Sequence, residues 1–494
     1  MSKRILMLAV AVLALAIAVP SFAAVQNVKV SGDLSVQGVS RYDFTLQRAK
    51  SPTVVTASTM ADNQNAILSI ARLKVDAELT DNVSAVVRLL SERLWDEDTA
   101  AATQIDLDLA YATLKEFLYS PLTLTVGRQE LHFGNDLIIG DPDTNGLASA
   151  ASALTTTAGT VTDLGDLSAR KAFDAIRATL NYTVSDQPLA VDLLYAKIDE
   201  NLNNRNDDVN LYGVNANYPV NENIATELYL WTRDRQPGSV TTTGALTPTQ
   251  NEIKTERLHT LGGRGVYTGI TNLTLQGEAA WQFGNKLIDT ATVANLMTTV
   301  TNINANPDGL RIEDSFVKAN AWALQLIGSY AFPEVRHTPN IGVSYTHLSG
   351  EKSNSTRDWN GWDAMYENQA GGTIFNKILG YSNVDLINVN ASLKPDFIDD
   401  LTVKFDWYHI ILDVPLATQN NNSYIISGVV GGQTYKVGTD KNLGDEIDLG
   451  LTYDYTEDVQ LGLNAGWFIP GDTFYSSDMD HVASQAIASM KVIF

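Results

Sequence analysis

From Val28 to Phe44 the sequence alternates with a period of two. Val28, Val30, Gly32, Leu34, Val36, Gly38, Tyr42 and Phe44 fall on one parity; Lys29, Ser31, Asp33, Ser35, Gln37, Arg41 and Asp43 fall on the other, and only Val39 and Ser40 break rank. Such a run specifies a strand with one dry face and one wet face. At 17 residues it is about three times as long as the ~5–6 residues usual in soluble sheets. The pattern returns in Leu273–Phe283, in Ile105–Ala112, in Glu446–Tyr455 and in the final stretch ending Met490, Val492 and Phe494. Template matching finds about 18 such segments, centred near 36, 73, 89, 110, 127, 178, 194, 214, 229, 262, 278, 324, 343, 388, 406, 450, 464 and 489.

Spacer lengths alternate too. Short turns (Thr80-Asp81-Asn82, Ser185 to Pro188, Pro219 to Asn223, Gly269 to Asn272, Thr456-Glu457-Asp458) trade places with long polar loops at about 47–65, 134–171, 236–254, 285–314, 349–382 and 412–443. In hydrocarbon every backbone N–H and C=O needs a partner, so strands cross a membrane only as a closed barrel. The expectation is an all-β transmembrane antiparallel barrel of about 18 strands, with short periplasmic turns and long extracellular loops. Aromatic residues near strand ends suit the two interfacial girdles: Tyr42, Phe44, Tyr111, Tyr182, Tyr195, Tyr218, Tyr267, Trp281, Tyr330, Tyr453, Tyr455 and Trp467. A secreted β-sandwich or β-helix would have shorter strands, more even loops and no girdle.

The amino terminus agrees with export. Lys3-Arg4, the apolar run Ile5–Val19 and Pro20-Ser21-Phe22-Ala23 form a secretory signal peptide, residues 1–23, leaving 24–494 as one barrel domain. After Val19 no run of ~18 apolar residues recurs, so no transmembrane helix is expected. The absence of cysteine excludes disulfides, thiolate metal sites and a cysteine nucleophile, and fits the periplasm. Net charge is −23, or −25 once Lys3 and Arg4 are removed (−23 − 2), which argues against nucleic acid as a partner.

Two stretches carry a family resemblance. One is Val126-Gly127-Arg128-Gln129-Glu130-Leu131-His132-Phe133-Gly134-Asn135-Asp136-Leu137-Ile138-Ile139-Gly140-Asp141; the other is Gly444-Asp445-Glu446-Ile447-Asp448-Leu449, followed by Tyr453, Gly466, Phe468, Pro470 and Gly471. They resemble the Gly-Arg-Gln segment and the C-terminal pattern of the alginate-export family of outer-membrane barrels. The resemblance implies 18 strands, a Gram-negative outer membrane, surrounding lipid and lipopolysaccharide, and passage of an anionic polysaccharide. Terminal Phe494 is similar to the aromatic residue read by barrel-assembly machinery.

The wet parity supplies candidate lumen residues. Basic ones are Arg41, Arg72, Lys74, Arg88, Arg128, Arg177, Arg233, Arg264 and Lys404; acidic ones include Asp76, Asp106, Asp108, Asp192, Glu227, Glu278, Asp406, Glu446, Asp448 and Asp454. Of these, Arg72, Lys74, Arg88, Asp106, Asp108, Arg128, Arg177, Arg264, Glu278, Lys404, Glu446 and Asp448 are read as pore-lining. Arg128 enters through a phase slip: even positions are apolar up to Val126 and odd ones from Leu131, so a bulge near Gly127 would turn Arg128, Glu130 and His132 inward. Rings of Arg select anions, whereas Arg and Asp alternating on adjacent strands form a stiffening ladder; both readings stand. The acidic excess in loops (Asp141, Asp143, Asp163, Asp166, Glu200, Asp207, Asp208) reads as solvation, with divalent cations shared with lipopolysaccharide phosphates as a lesser reading. Whether loops 134–171, 285–314 and 412–443 enter the bore is open at this point.

Enzymatic chemistry finds no foothold. The six histidines include no pair at metal-ligand spacing, and no nucleophile elbow or phosphate-binding loop occurs. Gly262-Gly263-Arg264-Gly265 lies inside an alternating strand and reads as a kink. The Asp106/Asp108 pair could serve a hydrolase only in a cleft. The expectation is a channel without cofactor or metal, passing a polysaccharide or small solutes. The alternatives are a small-anion or nutrient porin and a scaffold barrel sheathing a periplasmic partner.

Overall fold

A computed structural model describes residues 27–44, 46, 63–95, 105–142, 164–200, 208–236, 255–287, 316–351, 358–369, 371–378, 381–415, 424–425, 434–435, 440–474 and 481–494. Residues 1–23, expected to be a signal peptide, most of loops 47–65, 236–254, 285–314 and 412–443, and residues 143–163 with Asp143 and Asp163 lie outside them, as does Asp207. Eighteen long strands follow in order: β1 Asn27–Tyr42, β2 Asn63–Thr80, β3 Val83–Leu94, β4 Asp106–Leu114, β5 Leu122–Glu130, β6 Ala172–Val184, β7 Gln187–Asp199, β8 Val209–Asn221, β9 Ile224–Arg235, β10 Glu256–Ile270, β11 Leu273–Leu287, β12 Phe316–Ala331, β13 Asn340–Leu348, β14 Val384–Leu393, β15 Leu401–Leu412, β16 Asn442–Asp454, β17 Val459–Pro470 and β18 Ala483–Ile493.

Each strand pairs antiparallel with the next, and β1 pairs with β18 from Asp33↔Ile493 to Tyr42↔Ser484, so the sheet closes without an edge. Phe494 completes the seam through paired main-chain bonds with Gly32 (2.8 and 3.0 Å). Both ends of the described chain lie at the short-turn end. The outer surface is apolar, as the alternation requires: Val30, Leu73, Leu193, Leu228, Leu326, Val343, Leu449 and Leu463 are all exposed, although none is polar. In a bilayer that band is where lipid sits. Tyr42, Tyr182, Tyr195, Tyr267, Trp281, Tyr330, Tyr455 and Trp467 are exposed beside it, and Trp95 and Trp322 join them.

The phase slip falls one strand away from its expected place. The β3–β4 register jumps between Arg88↔Leu109 and Leu89↔Leu107, which makes Asp108 the extra residue. Beyond the jump Leu109 and Tyr111 pack inward with Val86 and Ala172, so Tyr111 leaves the girdle. Phe44 leaves it too, packing against the interior cluster. Through Gly127 the pairing with β4 and β6 runs unbroken. Gly127 has φ 125°, and a Cβ there would stand 2.2 Å from the Ala110 carbonyl oxygen; the glycine admits a distortion without a slip.

That register decides the position of Arg128. It faces Asp174, which lies between the buried Phe173 and Ala175 and shares parity with exposed Ile176. Side chains alternate along a strand, so the Arg128–Asp174 pair (3.0 Å) lies on the outer face. The expected inward turn of Arg128 is therefore corrected: without a bulge at Gly127 nothing reverses its parity.

Candidate functional site

The bore is not open across its width. Two segments enter from the long-loop end and pair with one another. Ile139 and Tyr366 form a parallel bridge; the N–H groups of Gly140 and Asp141 donate to the Tyr366 carbonyl (2.7 and 3.0 Å), and Tyr366 N–H donates to Ile138. Leu131, Phe133, Leu137, Ile138 and Ile139 from the first segment join Trp362, Met365, Tyr366, Ile374 and Phe375 from the second. Together they pack on Phe173, Leu194, Leu211, Trp231, Leu386 and Phe468 of the wall. Contacts spanning β6 through β17 are available only from inside the barrel. Phe133 meets Trp231 with ring centroids 4.7 Å apart; such a pair adds ~0.5–1.5 kcal/mol beyond its buried area.

Inward-facing polar residues hold these segments by their backbones. Gly134 N–H donates to Glu227 (2.9 Å) and Asn135 N–H to Glu278 (3.2 Å), which also accepts the Tyr229 hydroxyl (2.8 Å). The Asn135 amide donates to Gln325 (2.7 Å), and the Gln369 amide donates to the Asn135 carbonyl (2.6 Å). Glu227, Glu278 and Gln325 lie within six residues of the short-turn ends of β9, β11 and β12, so the insertion reaches deep. Farther round, Glu446 accepts the N–H groups of Thr373 (2.5 Å), Ile374 (2.8 Å) and Phe375 (2.7 Å) at the start of a four-residue helix, Phe375–Ile378. Asp448 takes the Thr373 hydroxyl (2.8 Å). Gly372, with φ 115°, lets the chain press against Glu446: a Cβ there would be 2.6 Å from the carboxylate.

A charge cluster clamps the second segment. Asp363 bonds Arg233 (3.0 and 2.7 Å) and Lys286 (2.9 Å), and Arg233 also bonds Glu256 (3.0 Å). Burial alone would raise the Asp363 carboxyl; Arg233 and Lys286 outweigh it and hold the group well below the usual carboxylate range. Glu367, four residues on, has the Lys171 charge nearby, but burial prevails. Burial pushes its carboxyl up to about 7, against the Gln369 N–H bond that favours the anion.

A third segment, 164–171, covers the opposite wall near the long-loop end. Leu164 is buried among Val39, Leu68, Ile70, Leu90, Leu94 and Ile487. Asp166 pairs with Arg41 (2.5 Å), and Arg170 pairs with Glu92 (3.1 Å) and Asp106. Below it the wall of β1–β7 carries a charge ladder whose cations are partly exposed and whose Asp108 and Asp192 are buried: Arg72–Asp33 (2.9 Å), Lys74–Asp76 (2.9 Å), Arg88–Asp108 (2.5 Å), Arg88–Glu130 and Arg177–Asp192 (2.8 Å).

The sequence-derived candidates thus separate into groups. Arg72, Lys74, Arg88, Asp108 and Arg177 lie in the ladder, and Asp106 lies under segment 164–171. Arg264 joins Gln276 (2.8 Å) and Glu227 (3.6 Å) beside the inserted loops. Glu278, Glu446 and Asp448 anchor backbone. Arg128 is outside. Lys404 is exposed, opposite Ser392 and Gly450. Sequence reading passed over the inserted half of loop 349–382, with Asp363 and Glu367, and over Glu92 and Arg170. A signal was there: Trp359, Trp362, Met365, Tyr366, Ile374, Phe375 and Tyr381 are too apolar a set for a loop in water.

Comparison with known proteins now has a geometry to meet. A family model described as alginate export matches residues 34–488. No curated protein matches the chain. Among solved structures, Pseudomonas aeruginosa OccD3 (OpdP) is similar over 96% of this chain and 93% of its own, with 10% identity and a TM-score of 0.50. Pseudomonas aeruginosa OccK2 (OpdF), solved in complex with glucuronate, aligns over 95% and 99% with 11% identity and a TM-score of 0.48. Acinetobacter baumannii OccAB2 aligns over 96% and 99% with 10% identity and a TM-score of 0.48. At these identities the likeness concerns the fold.

Proposed function

The chain belongs to the alginate-export family, and from that premise we propose that it passes an anionic saccharide along the wall formed by β1–β7. It is a β-barrel channel of a Gram-negative outer membrane. The observation that carries the proposal is the uneven filling of the bore. Inserted loops pack on the wall from β6 to β17, with Phe133 against Arg177 at one margin, while Arg72, Lys74 and Arg177 keep roughly a quarter to a third of their side-chain surface exposed. A narrow conduit beside a preorganised row of guanidinium and ammonium groups suits carboxylate-bearing sugar units threaded singly. The acids beside that row temper its field, so the expected selectivity is modest. In this reading Met1–Ala23 is the export signal, Phe494 the contact for barrel assembly, and the chain carries out no bond chemistry.

Planar-bilayer recording tests the proposal. Conductance should be blocked by oligouronates added from either side, and Arg72→Ala with Arg177→Ala should weaken that block and shift the reversal potential toward cations. Unchanged block and potential would overturn the anion path. A second reading, a small-solute porin, is favoured by the number of bonds fixing the loops; block by monomeric uronate but not by oligomers would select it. A scaffold barrel would conduct nothing.

A further inference from the structure

We propose that the outer face of the barrel, at the long-loop rim of β13–β15, holds a divalent transition-metal site built from His347, Asp385 and Asp413. The residues are distant in sequence, and the register assembles them. His347 faces Asp385 across β13–β14, Asp385 faces Ile411 across β14–β15, and Asp413 lies two residues beyond Ile411 on the same face. That face is the outer one, because Ile341 and Val343 of the same parity are exposed, and Trp322, exposed on the neighbouring strand, packs against His347 in a tilted contact with centroids 4.0 Å apart. A ring nitrogen of His347 and one oxygen from each carboxylate lie within 4.8 Å of one another. Ligands at the ~2.0–2.2 Å typical of zinc with nitrogen and oxygen donors lie about 3.4 Å from one another in a tetrahedron, so side-chain movements of up to about 1.4 Å would bring these three atoms onto one ion.

Two further observations point to a cation. Most acids of the inner wall have an Arg or Lys beside them. Among the described residues neither Asp385 nor Asp413 forms an ion pair with an Arg or Lys side chain; Asp385 has the His347 ring (2.8 Å) and the Tyr345 hydroxyl (2.6 Å), and Asp413 has the Gly350 N–H (2.8 Å). Lys441 bonds the main-chain carbonyl of Asp413 instead. In addition His347 is more than nine-tenths buried, and its Nε2 has no hydrogen-bond partner among the described residues, whereas its Nδ1 faces Asp385 (2.8 Å). A buried ring nitrogen without a partner is uncommon in a folded protein, and it is accounted for if Nε2 is the metal-binding atom of His347. The donor set is mixed, one imidazole and two carboxylates, which favours a zinc-like ion over calcium or magnesium, and three protein ligands leave a position open to the outside.

The neighbouring strands supply a control. His409, Asp445 and Trp407 repeat the His–Asp–Trp arrangement (His409 to Asp445 3.0 Å) without a third ligand grouped with them among the described residues. The test is equilibrium dialysis of the full chain in detergent against Zn²⁺, with folding followed by heat-modifiable migration. The wild type and His409→Ala should bind one equivalent. His347→Ala, Asp385→Asn and Asp413→Asn should each weaken binding by at least the ~10-fold seen when groups merely supporting a ligand are removed. Co²⁺ bound to the wild type should give a ligand-field spectrum of mixed nitrogen and oxygen coordination, a readout independent of any variant. Absence of saturable Zn²⁺ binding, wild-type affinity in any of the three variants, or no preference for Zn²⁺ over Ca²⁺ and Mg²⁺ would overturn the site.

Discussion

Two walls of this barrel carry charges at the same inward parity and use them differently. On β1–β7, below segment 164–171, the charges pair sideways, cation with acid along the wall, and Arg72, Lys74 and Arg177 keep contact with water; only under that segment does Glu92 accept a loop N–H, that of Ala169 (2.6 Å). On β9–β17 Glu227, Glu278, Glu446 and Asp448 face loops, and their oxygens accept backbone N–H groups and hydroxyls from Gly134, Asn135, Thr373, Ile374 and Phe375. An inward charge is therefore a lining group where the wall is uncovered and a fastening where a loop lies against it. The difference follows from what stands opposite: water and a complementary side chain, or a loop whose unpaired N–H groups need acceptors in a dry interior.

The comparison is broken most severely at Glu446. Hydrogen bonds to a charged group contribute ~1.5–3 kcal/mol each, and three are lost in Glu446→Ala. Segment 371–378 should undock, with its released population raised by about 100-fold or more, and single-channel conductance should rise toward that of an unobstructed barrel. Unchanged conductance would show that the segment does not obstruct. Asp363→Ala comes next. It strips Arg233 and Lys286 of a shared buried partner, a loss of roughly 3–5 kcal/mol, and should open the channel through segment 360–369, read as increased conductance and proteolytic cutting there.

A pH scan sharpens the contrast between those two anchors. The Glu367 carboxyl is raised in the folded state to about 7, so its contribution is complete below the unfolded value of ~4.3 and is lost as pH rises through about 7. Asp363 is depressed, so its contribution is present above its unfolded value and fails only under stronger acid. Open probability in bilayers should rise from neutral to mildly alkaline pH, and Glu367→Gln should flatten that rise. On the ladder wall the effects are smaller. Arg88→Ala leaves Asp108 and Glu130 uncompensated and should shift selectivity toward cations without a change in loop docking. Arg128→Ala should leave selectivity as it is, because its side chain faces away from the bore; a shift equal to that of Arg88→Ala would refute the assigned parity.

Much of this was legible in the chain. Strand number, closure, the apolar exterior and the inward parity of Arg72, Arg88, Arg177, Glu278 and Glu446 follow from period-two patterning, since a strand's two faces are set by local geometry. The bulge was half legible: the parity change around Gly127 was read, but the register shift sits at Asp108, because the strand that accommodates a mismatch depends on its neighbours. The inserted loops were least legible. Loop 134–171 raised the question through its length, and the apolar content of 359–381 was an unread sign that this stretch is buried.

The sequence by itself determined that the chain closes into a lipid-facing barrel, because alternation sustained over 18 strands leaves backbone hydrogen bonding no other solution in hydrocarbon. Only the tertiary structure decided which inward charges remain available to a solute. Whether a carboxylate lines a conduit or caps a loop is set by long-range contacts such as Glu446 with Thr373 and Asp363 with Arg233, and no local pattern encodes a partner 73 or 130 residues away.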